Sequence, residues 1–481
     1  MNYRMITYIV GWILNIEGAF LLLPLIVAGI YREGTEAMSI ALTMLMCLVI
    51  GFIITRFKPK NRVLYAKEGF VIVSLSWIVL SIFGMLPFLL SGAIPSVFDA
   101  LFETVSGFTT TGATVLTDVE ALGKSLLLWR SFTHWLGGMG VLVFIMAIIP
   151  LSGGNNMYIM KVESTGPSVG KLVPKVRDTA FILYAIYLGI TVVGVILLFL
   201  GGMSLFDSVA LSFGTVGTGG FGILNSSAAE YSSYVQIVIT VIMIMCGVNF
   251  SLYYLILKGK FKEFFKSTEL RVYLSIIFIA IVIITINISG MYGGIGEAIK
   301  HASFQVGSII TTTGFATCNY DLWPQLSKTV LVILMFIGGC AGSTAGGMKV
   351  DRFVILFKTF VKELKVIVHP RCVKKVKVNG KTVEHEVIRS VNVYVFAFVM
   401  LFVGSLLIIS LDGFDLVTNF TAVAATLNNI GPGLNMVGPT GNFSEFSNLS
   451  KLVFTFNMLA GRLELFPMLV FMMPSTWRKN R

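Results

Sequence analysis

Four short segments of this chain combine threonine or asparagine with glycine directly after an apolar stretch. They read TTTGATV (109–115), GTVGTGGF (214–221), TTTGFATC (311–318) and NNIGPGL (428–434). Glycine reaches left-handed and crowded backbone conformations that other residues avoid, and Thr and Asn side chains can hydrogen-bond locally to steady them. Four such loops around one axis would present rings of carbonyl oxygens, which can replace the hydration shell of a cation. Neutral carbonyls favour a weakly hydrated monovalent cation over Ca²⁺ or Mg²⁺, so K⁺ is the leading candidate.

A shared pattern precedes the four segments and indicates an internal repeat. Each segment follows a short apolar stretch that begins near an acidic residue, and the spacing from Asp99 to Gly112 equals that from Asp207 to Gly220. The four acidic residues are Asp99, Asp207, Glu297 and Asp415. A bilayer crossing takes about 20 residues, so these stretches predict re-entrant helices, with the acidic residue capping the first turn. Four amphipathic surface hairpins are the alternative, which the fourfold recurrence disfavours.

The composition predicts a polytopic membrane protein that holds these loops between long apolar helices. Of the 481 residues, 56% are hydrophobic and only 12% charged, whereas a soluble protein carries about 25% charged residues. The first apolar segment is too long for the core of a signal peptide. Ten segments are long enough to cross a bilayer, near 5–30, 38–55, 69–92, 126–151, 178–201, 233–257, 271–290, 329–360, 390–411 and 449–474.

The net charge is +12, and the placement of the basic residues along the chain indicates the membrane topology. Lys and Arg concentrate at both termini and in four stretches between helices, 56–67, 161–177, 258–271 and 349–389. Because cytoplasmic loops carry the excess of basic residues, we expect a multi-pass protein of the cytoplasmic (plasma) membrane with both termini in the cytoplasm. No basic domain stands apart from the membrane, so nucleic acid is not an expected partner. The five scattered cysteines predict neither a disulfide framework nor a zinc site.

Seven segments, in the same order, resemble one family of membrane proteins. The four glycine segments look like the filter segments of the Trk/Ktr/HKT superfamily of potassium transporters. RSFTHWLGGMGVLVF (130–144), GGCAGSTAGGMKVDR (338–352) and NMLAGRLELFPML (457–469) look like its TrkH branch. The resemblance implies an all-α polytopic membrane protein of about ten transmembrane helices, with an N-terminal hairpin and four pseudo-symmetric helix–pore-loop–helix repeats around one central pore. The expected units are hairpin 1–60 and pore repeats 61–160, 161–265, 266–388 and 389–481.

The same resemblance implies a selectivity filter in which backbone carbonyls bind K⁺. The residues carried over are Thr110, Thr111, Gly112, Thr218, Gly219, Gly220, Thr312, Thr313, Gly314, Asn429, Ile430 and Gly431. The second repeat is ambiguous, since TVGTG (215–219) permits a slightly earlier register. We favour Gly220 because Phe221 corresponds to Phe315. Pro432 follows the fourth glycine and suggests a differently shaped quadrant.

A run of small residues inside the segment 329–360 is the candidate gate. The run FIGGCAGSTAGGMK (336–349) contains five glycines, each costing up to about 1 kcal/mol in a helix interior. We predict an unwound intramembrane loop over 338–347, and the resemblance implies a gating role for it. Close helix packing through small residues is the alternative. The candidate gate residues are Gly338, Gly339, Gly342, Gly346, Gly347 and Arg462.

Arg462 lies within the last apolar segment, where an unpaired charge costs at least about 2.5 kcal/mol, so it should face a cavity or a partner. We expect it to face the pore below the filter and to help hold the gate shut; a salt bridge with Glu464 is the alternative, but positions two apart do not share a helix face. Arg130 and His134 lie four apart on one helix face, and we interpret them as structural.

The function expected from these features is gated, selective K⁺ uptake driven mainly by the membrane potential. The alternative is a K⁺ symporter coupled to Na⁺ or H⁺. Coupling normally uses carboxylates within the membrane, and the candidates here are few, Glu17 and Glu464. No enzyme motif appears in a suitable context, so we expect no enzyme and no organic cofactor, only K⁺ as the transported ion.

The expected partners are regulatory. The chain contains no soluble nucleotide-binding domain, and the TrkH resemblance implies a homodimer carrying a cytosolic nucleotide-binding ring of the TrkA type. The basic stretch 358–389 is a candidate docking surface, with Lys362, Lys365, Arg371, Lys374, Lys375 and Lys377. Simple topology together with binding of anionic membrane lipids explains the same charges equally well.

Overall fold

The computed structural model describes residues 1–59, 64–140, 176–371 and 375–478. Within these ranges the chain is mostly α-helical, which confirms the predicted fold class. The helices are α1 Tyr3–Phe20, α2 Leu22–Tyr31, α3 Gly34–Arg56, α4 Ala66–Gly84, α5 Leu86–Leu90, α6 Val97–Phe108, α7 Lys124–Gly138, α8 Val176–Leu200, α9 Leu205–Val216, α10 Ser233–Cys246, α11 Phe250–Leu257, α12 Phe261–Lys266, α13 Thr268–Ile288, α14 Ile295–Ile310, α15 Gln325–Ile337, α16 Val350–Val368, α17 His385–Ile409, α18 Leu416–Leu427, α19 Asn448–Arg462, α20 Phe466–Met472 and α21 Pro474–Trp477.

Short elements complete the described chain. Three single 3₁₀ turns lie at Tyr320–Leu322, Ser410–Asp412 and Asn435–Val437. Strands β1 (Lys377–Val378) and β2 (Lys381–Thr382) form an antiparallel hairpin that the sequence did not predict. Its turn residues Asn379 and Gly380 both have positive φ, as a two-residue hairpin turn requires.

Six helical segments are long and apolar enough to cross a membrane among the described residues. They are Tyr3–Tyr31, Gly34–Arg56, Ala66–Leu90, Arg177–Leu200, Thr268–Ile288 and His385–Asp412. Each agrees with one of the ten predicted spans, and large apolar side chains such as Phe278 and Phe396 remain exposed on them, as lipid contact requires. These segments form the N-terminal hairpin and the outer helix of each repeat.

The other four predicted spans, the inner helices, are interrupted. Helix α7 ends at Gly138, and the part of the predicted span after residue 140 lies outside the described residues. Helices α10 and α11 meet at 94°, so the predicted continuous span 233–257 is wrong at its midpoint. Asn249 stabilises the break because its side chain accepts a hydrogen bond from Ser251 N and caps α11.

The last predicted span, 449–474, is also wrong as one helix. Helix α19 ends at Arg462 and α20 begins at Phe466. Between them Glu464 and Leu465 have positive φ, which an α-helix cannot contain. Pro467 lies in the first turn of α20, where its missing N–H has no helical partner to lose.

Four short helices, α6, α9, α14 and α18, lie between the outer and inner helices and are the predicted re-entrant helices. Asp415 caps α18 by accepting hydrogen bonds from the backbone of Val417 and Thr418, and its hydrogen bond with the Thr418 hydroxyl, the largest contribution, holds the Asp415 pKa below its ordinary value. The prediction for the first three repeats is corrected in detail, and in the third Glu297 lies in the first turn while Gly294 is the N-cap residue. Ser96 and Ser204 are the caps in the first two repeats, and Asp99 and Asp207 lie in the first turn, where they complement the helix dipole.

Candidate functional site

The four glycine loops share one backbone conformation at the ends of the short helices. In each loop the glycine and the residue two positions before it both have positive φ, for example Thr110 at 53° and Gly112 at 79°. The remaining pairs are Thr218 and Gly220, Thr312 and Gly314, and Asn429 and Gly431. Positive φ is strained for a β-branched residue such as threonine and marks a functional constraint.

The hydrogen bonds at the helix ends are equivalent as well. In each repeat the N–H of the residue just before the glycine donates to the carbonyl five positions earlier. The pairs are Thr111–Ser106 (2.9 Å), Gly219–Gly214 (2.9 Å), Thr313–Ser308 (2.8 Å) and Ile430–Ala425 (2.8 Å). In the second repeat Gly220 therefore occupies the place of Gly112 and Gly314, and the earlier register at 215–219 does not correspond to the other loops.

Contacts between the loops close a ring. A Cβ atom added to any of the four glycines would collide with the carbonyl oxygen of the residue that precedes the glycine of the following loop. The colliding pairs are Gly112 with Gly219 O, Gly220 with Thr313 O, Gly314 with Ile430 O, and Gly431 with Thr111 O. The repeats are thus arranged in chain order around one axis, and repeats 1 and 3 face each other across it. This ring borders a vestibule of about 210 Å³.

Side-chain hydrogen bonds stabilise the ring from behind. The hydroxyls of Thr109 and Thr111 lie 2.8 Å apart. Asn429 donates from Nδ2 to the Thr111 hydroxyl at 3.0 Å, which joins the fourth loop to the first. The side chains of Thr110, Thr111 and Asn429 are fully buried, so the groups that face an ion at this level can be backbone carbonyls.

A non-helical segment, residues 338–349, lies between α15 and α16 directly beneath the loops. Gly338, Gly342 and Gly347 in it have positive φ. Gly346 N donates to the Thr312 hydroxyl at 2.6 Å, and Gly347 N donates to Asn428 O at 3.0 Å. The segment is therefore hydrogen-bonded to the glycine loops of repeats 3 and 4.

Arg462 joins segments from two other repeats beneath the ring. Its guanidinium donates to Thr344 O at 2.7 Å and to Gly137 O and Gly138 O at 2.6 Å each. Thr344 belongs to repeat 3 and the two glycines to repeat 1, which face each other, while Arg462 comes from repeat 4. The side chain therefore bridges opposite quadrants, and it is buried. Glu464 forms an ion pair with Arg352.

Buried charged residues that the sequence did not single out hold segment 338–349 in place. Glu269 accepts a hydrogen bond from Ala341 N at 2.5 Å, and Lys349 Nζ donates to Ala345 O. The Arg352 guanidinium lies 4.0 Å from the centre of the Tyr394 ring. In the sequence these residues adjoin basic stretches and resemble ordinary topology signals, so no local pattern identified them.

Glu103 is the second group that sequence reasoning missed. Its carboxylate pairs with Arg130 Nε at 2.6 Å in the interior and accepts from Val115 N at 3.0 Å. Arg130 Nη1 donates to Gly222 O at 3.0 Å. The pair therefore joins the segment that follows the first glycine loop to the segment that follows the second, which supports the structural interpretation of Arg130.

Three kinds of comparison with known proteins identify the same family. A family model named TrkH and described as "Cation transport protein" matches residues 36–479. The Trk system potassium uptake protein TrkH of Escherichia coli K12 is 36% identical over 100% of both chains, and that of Halomonas elongata is 33% identical over the same shares. The crystal structure of the potassium transporter TrkH from Vibrio parahaemolyticus matches with a TM-score of 0.89 at 34% identity, covering 99% of this chain and 100% of that one.

Proposed function

This chain belongs to the TrkH family of cation transport proteins, and from that membership we propose that it takes up K⁺ through a selective, gated, channel-like pore. Membership also makes it a multi-pass membrane transporter rather than an enzyme. The closed ring of glycine loops carries the proposal, because it brings backbone carbonyls from all four loops together around one axis. In this proposal the filter ligands are the carbonyls of the twelve residues named above, and the four pore repeats are 61–160, 161–265, 266–388 and 389–481.

The gate in this proposal is segment 338–349 together with Arg462. The segment lies beneath the ring on the axis, and its glycines lack the helical hydrogen bonds that would make it rigid. Arg462 places a positive charge between opposite quadrants, where it repels a cation leaving the filter. We infer from these contacts that the pore is closed, and in this proposal it opens when the segment moves away from the axis.

The membrane potential is the proposed driving force. It provides about 2.3 kcal/mol per charge at 100 mV. Symport is the second candidate, but the two carboxylates that the sequence suggested for it are poorly placed, and the buried Glu103 is paired with Arg130. Glu17 is buried in the N-terminal hairpin, where it lies near Gly84 outside the ring, and Glu464 is paired with Arg352.

An uptake assay tests the function. We expect the chain, expressed in a bacterium without K⁺ uptake systems, to restore growth at low K⁺, and the purified protein in liposomes to carry K⁺ along an imposed voltage. The measurement uses K⁺ and Na⁺ gradients at clamped voltage. K⁺ flux that requires Na⁺ or a proton gradient would favour the symporter, and absence of K⁺ flux from well-inserted Arg462→Ala protein, in which the gate should be open, would contradict both.

Regulation by partners completes the proposal. We place both termini and the basic stretch 358–389 on the cytoplasmic side of the plasma membrane, where a homodimer would dock a TrkA-type nucleotide-binding ring and also contact anionic lipids. Lys362 and Lys365 lie on the last turns of α16, while Lys374 lies outside the described residues.

Charge reversal tests this docking surface. We expect Lys362→Glu combined with Lys365→Glu to weaken co-purification with the partner ring, and we expect the difference from the parent to shrink at higher salt, because surface charge interactions are screened by ions. Reversal of Lys260, which lies on a different cytoplasmic connection, is the matched control. If both variants co-purified with the partner ring as well as the parent does, the basic stretch would serve topology and lipid binding instead.

A further inference from the structure

The second glycine loop lacks a support that the first and third loops possess. Thr109 and Thr111 join hydroxyl to hydroxyl at 2.8 Å, and the third loop repeats this pair at 2.7 Å. The equivalent positions of the second loop are Gly217 and Gly219, which have no side chains. The second loop nevertheless has the same backbone conformation and the same helix-end hydrogen bonds, so another group must stabilise it.

The imidazole ring of His134 occupies the space that a side chain at residue 219 would fill. A Cβ atom added to Gly219 would overlap three atoms of this ring. Gly219 is not among the residues with positive φ, so its backbone conformation does not by itself require glycine. The absence of a side chain at residue 219 is therefore explained by the ring of His134, which is fully buried.

His134 makes two hydrogen bonds that join different repeats. Its Nδ1 lies 2.7 Å from Gly107 O on the first re-entrant helix, and Phe221 N donates to its Nε2 at 3.2 Å. A carbonyl can only accept and a backbone N–H can only donate, so the ring is the neutral tautomer with the proton on Nδ1. Phe221 directly follows the second filter glycine, Gly220, so the imidazole of His134 fixes the direction in which the chain leaves the second glycine loop.

The next inner helix offers no such group at the equivalent position. Gly138 and Gly247 occupy equivalent positions, because a Cβ atom added to either would lie within 3 Å of the residue that caps the C-terminus of the following re-entrant helix. The distance is 2.9 Å to Gly217 Cα for Gly138 and 2.8 Å to Thr311 Cγ2 for Gly247. Four residues before Gly247 is Met243, a buried side chain without an N–H group. The polar support thus occurs where the second loop lacks its threonines, and the third loop, beside Met243, retains them.

We propose that His134 is a positioning residue for cation discrimination, which replaces the absent threonine pair of the second loop and fixes the carbonyls of Gly219 and Gly220. This role rests on the proposed function, since it presupposes that the ring selects K⁺. Losing a buried hydrogen-bond partner carries a free-energy cost, because the remaining group is left unsatisfied. If most of that cost falls on the geometry of one filter quadrant, the K⁺/Na⁺ flux ratio should fall roughly tenfold.

The test compares K⁺ and Na⁺ fluxes of inserted variants in liposomes. His134→Leu keeps most of the volume and removes both hydrogen bonds, so we expect the flux ratio to fall roughly tenfold. His134→Gln retains a polar group near the Nε2 position and should restore part of the ratio. Met243→Leu is the matched control and should leave the ratio unchanged. A role in packing alone would lower protein yield or total flux and leave the ratio equal in all three variants, which would overturn the proposal.

A coupled pair of substitutions tests the shared space. Gly219→Ala alone should lower the flux ratio, because the new methyl group displaces the ring. In the His134→Ala background the same substitution should cause little further loss, since the space is then empty, and contacting residues are non-additive in this way. Fully additive losses would overturn the proposal. A parent protein that does not distinguish K⁺ from Na⁺ would instead contradict the proposed function itself, so the two failures are distinguishable.

Discussion

Replacing Gly112 with serine is expected to lower the K⁺/Na⁺ flux ratio at least tenfold. The backbone at Gly112 has φ of 79°, a conformation that costs an L-residue about 1–2 kcal/mol. The added Cβ would also overlap Gly219 O of the neighbouring loop, so the ring must widen or lose its symmetry. Because about 1.4 kcal/mol corresponds to a tenfold change, either effect suffices to admit Na⁺.

The measurement is the K⁺/Na⁺ flux ratio in liposomes, and Gly314→Ser should behave in the same way because it meets Ile430 O. Gly404→Ser is the matched control, since no atom lies within 4 Å of a Cβ at that position and its φ is not positive. Unchanged ratios for both filter variants, in protein shown to be inserted, would argue strongly against a filter built from the four loops.

Removing Arg462 should raise K⁺ flux in the absence of any cytosolic partner, by at least about tenfold. Its guanidinium holds carbonyls of Thr344, Gly137 and Gly138 together across the axis. Arg462→Ala removes both this bridge and the positive charge, and two unit charges 4 Å apart interact by about 4 kcal/mol at an effective dielectric constant of 20. Arg462→Lys retains the charge but cannot reproduce three hydrogen bonds from one planar group, so we expect an intermediate flux.

Shortening the segment beneath the ring tests the same gate independently. Deletion of residues 339–346 removes Thr344 and the glycines that lie under the filter, so basal flux should also rise. Lys451→Ala is the control, because Lys451 is a buried cation on the same helix as Arg462 but pairs with Asp99 in the first re-entrant helix. If correctly inserted Arg462 and deletion variants both conduct no better than the parent, the segment contributes packing and the gate lies elsewhere.

The sequence by itself determined the features that depend on local chemistry. Apolar length predicted a membrane protein and located its outer helices, because each bilayer crossing needs about 20 apolar residues whatever surrounds it. The four glycine loops were visible because a positive φ strongly favours glycine. A run of five glycines in 336–349 cannot form a stable helix, and the structure has none between Ile337 and Val350. The need for a partner of Arg462 was also predictable, because an unpaired charge within an apolar segment is costly.

Only the tertiary structure decided which groups meet. The order of the repeats around the axis, and hence the register of the second loop at Gly220, follows from contacts between glycines and carbonyls about 100 or more residues apart. The partners of Arg462 come from opposite quadrants, and His134 explains Gly219 only because the folded chain places them side by side. The breaks at Gly247 and Glu464 also depend on neighbouring repeats. Such contacts leave no periodic or compositional signal, because each is made by two residues whose own surroundings in the sequence are ordinary.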